Sequence, residues 1–129
     1  MLGVEREGRL VGYVQLALVD RIERRAAVAI MLGDRATWGR GVGRTALRNL
    51  ADYAFAALDL ERVYAEVYGF NYRSQRLMER VGFRREGILR QHELHNGVRQ
   101  DVHVFDLLKA DFYQRYPTLF AMPDPAVPS

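Results

Sequence analysis

Ala26-Ala27-Val28-Ala29-Ile30-Met31-Leu32 runs without a break into Gly33-Asp34-Arg35-Ala36-Thr37-Trp38-Gly39-Arg40-Gly41-Val42-Gly43, and an amphipathic segment follows at once. The apolar run suits a central strand covered on both faces. Glycines at 39, 41 and 43 let backbone approach a ligand closely and reach conformations barred to other residues. Beyond them Val42, Ala46, Leu47, Leu50, Ala54 and Phe55 recur at helical spacing, which predicts a helix over about 41–58. A strand, a glycine turn and a helix amino terminus make an anion site, because unpaired N–H groups converge there and the helix dipole favours negative charge. Arg35, Arg40 and Arg44 add positive charge nearby. The stretch reads as the seat of a phosphate-bearing cofactor or, on local grounds alone, as a turn that only changes the chain's direction. No Gly-Lys-Ser/Thr follows, so it is not a Walker loop, and its spacing does not fit the dinucleotide fingerprint.

On the amino-terminal side of this unit the pattern is that of strands. Leu2 to Arg6 is a short one, Glu7-Gly8-Arg9 a turn, and Leu10 to Val19 a mostly apolar strand. Asp20 to Arg25 is polar enough to connect a hairpin, so an antiparallel meander leads into the glycine loop. On the other side, Arg62 to Tyr68 alternates Val63, Ala65 and Val67 with Tyr64, Glu66 and Tyr68. The resulting strand–helix–strand crossover implies a locally parallel pair. Asn71 is placed to cap a short helix carrying Ser74, Leu77, Met78 and Val81, and Gly82 to end it. Arg84 to Leu94 and Val98 to Leu108 flank His95-Asn96-Gly97, a hairpin signal. Lys109 to Tyr116 adds a helical turn or two, and Pro117 with the proline-containing residues up to Ser129 reads as a poorly structured end.

The 129 residues, 49% apolar and 27% charged, describe one globular domain over 1–116 with a tail over 117–129. A formal charge of +3, spread over dispersed arginines, gives no footprint for nucleic acid. No apolar stretch approaches a membrane span, and no signal-peptide pattern opens the chain. The absence of cysteine excludes disulfides, thiolate catalysis and cysteine-ligated metals, and agrees with a cytoplasmic protein. His92, Glu93, His95 and His103 are too scattered along the chain to nominate a metal site, so no metal is expected.

Taken in order, Trp38-Gly39-Arg40-Gly41-Val42-Gly43, Leu60-Glu61-Arg62-Val63, Asn71-Tyr72-Arg73-Ser74, Val81-Gly82-Phe83-Arg84-Arg85-Glu86-Gly87 and His95-Asn96-Gly97-Val98-Arg99-Gln100-Asp101 resemble the GCN5-related N-acetyltransferase (GNAT) family. Within it they look most like the branch of ribosomal-protein alanine acetyltransferases, the RimJ/RimL-like proteins. The resemblance covers roughly residues 5–112 and implies a mixed α/β fold, the acyl-CoA N-acyltransferase fold. It also implies a strand and two helices ahead of the strand at 10–19, and the chain starts after them.

By that resemblance the glycine turn holds the diphosphate of acetyl-CoA through residues around Trp38, Gly39, Arg40, Gly41, Val42, Gly43 and Arg44. The pantetheine arm enters between splayed strands at 26–32 and 62–68, along Ile30, Met31 and Leu32. Asn71 matches the family asparagine that reaches the pantetheine, and Ser74 the serine beside the sulfur, a candidate for the leaving thiolate. Glu66 is a candidate acceptor of the amine's proton through water, or a surface partner of an arginine. Met78 stands where many relatives have a catalytic tyrosine, and Ala27 where many have a glutamate. The expected activity is acetyl transfer to a primary amine of a small molecule or a protein N-terminus, in a homodimer. The alternative is a coenzyme-A-binding regulatory or interaction module with little or no turnover.

Overall fold

The computed structural model describes residues 2–6, 9–32 and 41–117, with side chains from Tyr13 onward apart from that of Leu32. Six strands form one mixed sheet in the order β1-β2-β3-β4-β6-β5. β1 (Leu2–Arg6), β2 (Arg9–Asp20) and β3 (Arg25–Leu32) are the antiparallel meander that the sequence predicts. Helix α1 (Val42–Asp52), continued by a π-helical turn over Tyr53–Ala57, crosses over to β4 (Arg62–Tyr68), which lies parallel to β3. Helix α2 (Tyr72–Val81) follows, then β5 (Arg84–His95), β6 (Val98–Leu108) and α3 (Lys109–Arg115). Asn96 and Gly97 both have positive φ, 52° and 80°, as a two-residue turn between right-twisted strands requires.

The helices share one face of the sheet, and the core lies beneath them. Leu47, Leu50, Ala54 and Phe55 from α1 and its extension meet Val63, Ala65 and Val67 of β4, Met78 and Val81 of α2, and Phe105 of β6. Phe112 of α3 closes one end, its ring 5.4 Å from that of Phe55. The burial of β4 follows the expected alternation, with Val63, Ala65 and Val67 inward and Glu66 exposed on the opposite face. One expectation needs correction. β3 is not covered on both faces: Ala26 and Val28 are buried, while Ala29 is exposed and Met31 is 55% exposed. An unbroken apolar run hides this, because alanine is small enough to be tolerated on either side and does not mark a face.

β3 and β4 pair only at Arg25–Arg62, Ala26–Val63 and Ala27–Tyr64. Beyond that point each keeps its outer neighbour: β3 stays registered with β2 as far as Leu32, and β4 with β6 as far as Tyr68. The inner edges therefore part and leave the backbone groups of 28–32 and 65–68 facing a gap. Its closed end is clasped by polar contacts. The Arg24 carbonyl accepts the N–H groups of Glu61 and Arg62 at 2.7 and 3.2 Å, and its guanidinium bridges Asp59 and Glu61 at 3.0 Å each.

Candidate active site

A cavity of about 720 Å³ opens where β3 and β4 diverge. Ile30 and Met31 form its strand side, Gly41, Gly43 and Arg44 one helix terminus, and Phe70 to Ser74 with Arg76, Leu77 and Arg80 the wall along α2. Gly41 precedes α1 in a left-handed conformation, φ 78° and ψ 0°, which explains why glycine is needed there. Its carbonyl accepts the first intrahelical bond, from the Thr45 N–H at 2.9 Å. Among the described residues no side chain caps this end, and its first turn carries no acidic residue. Among the described residues the N–H groups of Val42, Gly43 and Arg44 have no acceptor, and the helix turns its positive pole to the cavity. Those features fit a diphosphate.

Ile30, Met31, Gly41, Gly43, Arg44, Asn71 and Ser74, all named from the sequence, thus line one cavity. Val42 sits in the first turn of α1 beside them. Trp38, Gly39 and Arg40 lie outside the described residues, as do Arg35, the side chain of Leu32, the turn residues Glu7 and Gly8, and the tail from residue 118.

Asn71 caps α2 as the sequence predicts, its Oδ1 accepting the Ser74 N–H at 3.1 Å. The cap engages the carbonyl half of the amide and leaves its two N–H donors for a ligand carbonyl. Ser74 uses only its backbone N–H in this contact; among the described residues its hydroxyl has no partner, and it faces a cavity. The turn between β4 and α2 is fixed by Gln75, 7% exposed, whose Nε2 donates to the carbonyls of Tyr68 and Gly69 at 3.1 and 3.0 Å. Met78 is 1% exposed inside the core and supplies no proton donor to the cavity.

Glu66 does not line the cavity. It lies on the other face of the sheet, where its carboxylate, one His92 ring nitrogen and the Glu93 carboxylate come within 4.8 Å of one another. Their separation in sequence gave no sign of this meeting. An irregular register between Leu89 and Glu93 in the β5–β6 pairing, with Gln91 at φ 49°, places His92 and Glu93 together at that point. His95 and His103 are not in that group: His95 packs on Tyr68 and Phe70, with ring centroids 5.1 and 5.3 Å away. The Tyr68 hydroxyl donates to Glu93 Oε1 at 3.2 Å. Burial and this carboxylate hold the phenol above its ordinary pKa, so Tyr68 is a neutral hydrogen-bond donor near pH 7.

Sequence reasoning missed Phe70, Arg76 and Arg80 as cavity residues. The two arginines had a readable signal, since with Arg73 they recur at i, i+3 and i+7 along one stripe of α2. Phe70 had none, lying in a two-residue turn whose direction only the fold decides.

The family profile described as an acetyltransferase (GNAT) domain matches residues 1–84. Over 109 residues the chain is 34% identical to an uncharacterized N-acetyltransferase, p20, of Bacillus licheniformis, covering 84% of this chain and 61% of that protein. It is 32% identical over 110 residues to a putative ribosomal N-acetyltransferase, YdaF, of Bacillus subtilis, covering 85% and 60%. Among solved structures, the spermidine N-acetyltransferase from Vibrio cholerae in complex with CoA and spermine superposes with a TM-score of 0.76 at 30% identity, over 84% of this chain and 63% of that one. The chain spans about three fifths of the length of these relatives. The splayed parallel pair, the open helix terminus and the profile match agree: the chain belongs to the GNAT acetyltransferase family.

Proposed function

We propose that the chain is an acetyl-CoA-dependent N-acetyltransferase acting on a primary amine. The observation that carries this reading is the gap between β3 and β4, which opens onto a cavity bounded by an uncapped helix amino terminus. Bound acetyl-CoA would supply an activated acetyl thioester. The N–H groups of Val42, Gly43 and Arg44 hold its diphosphate, and the free inner edges at 28–32 and 65–68 pair with amides of the pantetheine arm. Asn71 donates to that arm. Strand N–H groups beside the gap stabilise the oxyanion that forms when the amine attacks. The new bond is N–C and the broken one C–S. Ser74 donates a hydrogen bond to the departing thiolate, and the amine's proton passes through water to Glu66 on the opposite face of the sheet.

The arrangement is two-sided, with cofactor against the helices and acceptor against the face that bears Glu66. Two carboxylates there, Glu66 and Glu93, suit a cationic amine, whether a polyamine or a basic peptide terminus. The relatives differ on this point, one named for spermidine and one for the ribosome. A second reading, a CoA-binding module without turnover, draws on Met78 lying in the core and Glu66 lying outside the cavity.

Calorimetric titration with acetyl-CoA, followed by thiol release across a panel of polyamines and peptides, tests both. Saturable binding with acceptor-dependent thiol release is the expected result. Binding without release supports the module, and no saturable binding ends both readings. Light scattering on the same sample tests the expected homodimer.

A further inference from the structure

We infer that Arg76 and Arg80 read the 3′-phosphate on the ribose of coenzyme A, so that this chain discriminates acetyl-CoA from its dephospho form; this rests on the cofactor reading above. α2 holds Arg73, Arg76 and Arg80 at i, i+3 and i+7, and all three line the cavity that Gly41, Gly43 and Arg44 bound from α1. Seven residues of helix put Arg80 about 10 Å along the wall from Arg73. The stripe therefore extends away from Asn71 and Ser74, at the start of the helix, toward the far end of the cavity.

This placement is unfavourable for the helix alone. Like charges three and four residues apart repel, and Arg73 stands in the first turn, at the positive pole. The single acid of α2, Glu79, faces Arg85 on β5 at 3.8 Å. Among the described residues no carboxylate pairs with Arg44, Arg76 or Arg80. Arg24, by contrast, finds Asp59 and Glu61, and Arg62 finds Glu86 and Asp106. Arg44, Arg76 and Arg80 thus bring three guanidinium groups to one cavity without a carboxylate among the described residues to balance them.

A diphosphate brings about two negative charges, which the α1 terminus and Arg44 can balance. Arg76 and Arg80 suit a further dianion, and a phosphate monoester carries nearly two charges at neutral pH. Guanidinium groups bind such a group by paired, charge-assisted hydrogen bonds.

The test titrates the full chain with acetyl-CoA and with acetyl-dephospho-CoA at low and at physiological salt, for the wild type, Arg76→Gln/Arg80→Gln and a control on β5, Arg90→Gln. The wild type and the control are expected to bind the dephospho form about tenfold more weakly, with the difference shrinking as salt rises. The double variant should lose most of that preference while its affinity for the dephospho form stays within about twofold. Its melting temperature without ligand should be unchanged or higher, because repulsion within α2 is relieved. Equal wild-type affinity for the two ligands, or equal losses for both in the double variant, overturns the inference and leaves the cofactor reading intact. Failure of the wild type to bind either ligand overturns both.

Discussion

At the scale of single residues, the cavity depends on two features of opposite kind, a left-handed backbone that favours glycine and a hydroxyl that has no partner among the described residues. Among the described residues a Cβ on Gly41 would meet only the Arg44 guanidinium, at 3.7 Å, so the constraint visible there is φ of +78° rather than space. Gly41→Ala should cost about 1–2 kcal/mol through backbone strain, lowering the melting temperature by several degrees. Because the terminus itself shifts, acetyl-CoA affinity in calorimetry should fall well beyond what the stability loss explains. Unchanged affinity would remove the diphosphate from this terminus. Ser74→Ala keeps the Asn71 cap, which uses only the backbone N–H. Its expected signature is a fall in kcat of about tenfold, or about 1.4 kcal/mol of transition-state stabilisation, with the acetyl-CoA dissociation constant nearly constant. A variant with normal kcat and weakened binding would make Ser74 a cofactor contact only. Both residues were legible in the sequence, the glycine from its place before an amphipathic run and the serine from its place after a capping asparagine. The position of Glu66 was legible only by half: alternation along Arg62–Tyr68 assigns it to a face, but nothing local says which face holds the cavity.

At the scale of elements, the gap exists because β3 and β4 are fastened at one end only. Asp59 is central to that fastening. It sits at φ 55° and receives Lys109 Nζ at 3.2 Å and the Arg24 guanidinium at 3.0 Å. The hydrogen bond from Lys109, then the charge of Arg24, holds its carboxyl below the ordinary value of 3.8. A lowered carboxyl pKa contributes stability that is complete above the unfolded value and is lost as pH falls through the folded one. Asp59→Asn keeps the left-handed backbone, which asparagine accepts, and removes only the charge. Its urea midpoint should fall below that of the wild type at pH 7, and the two should converge as the pH drops below 3.8. A difference that persists in acid would assign the loss to packing rather than to charge. None of this clasp was readable beforehand, because Arg24 in the β2–β3 hairpin, Asp59 before β4 and Lys109 at the start of α3 are far apart in sequence and only the fold brings them together. The hairpin at Asn96-Gly97 and the α2 cap were readable because each is decided within four residues. The one-sided exposure of β3 was not, since alternation carries no information through a run of alanines.

At the scale of the whole molecule, the sheet behaves as two smaller ladders joined at a hinge of three residue pairs, β1-β2-β3 on one side and β4-β6-β5 on the other. Each ladder is internally paired past the point of divergence, so opening the gap sacrifices only the inner-edge bonds of 28–32 and 65–68. Unpaired strand amides facing a hydrated cleft exchange with solvent freely, while their neighbours in the ladders are protected. The family fold and the order of its elements were legible from motifs spread over most of the chain. The width of the gap was not, because it results from the competition of two outer partners for strands that local sequence makes equally able to pair. The consequence is measurable by hydrogen exchange. In the free protein, alternate amides of 28–31 and 65–68 should exchange much faster than those of the outer edges, and saturating acetyl-CoA should slow them selectively, together with Val42, Gly43 and Arg44. A pantetheine arm that runs elsewhere would protect the α1 terminus and leave the strand amides untouched. That pattern would confine the cofactor reading to the diphosphate and remove the gap from the chemistry. Protection of both sets, with no change along β1 or β5, is the outcome that a cofactor bridging the two ladders requires.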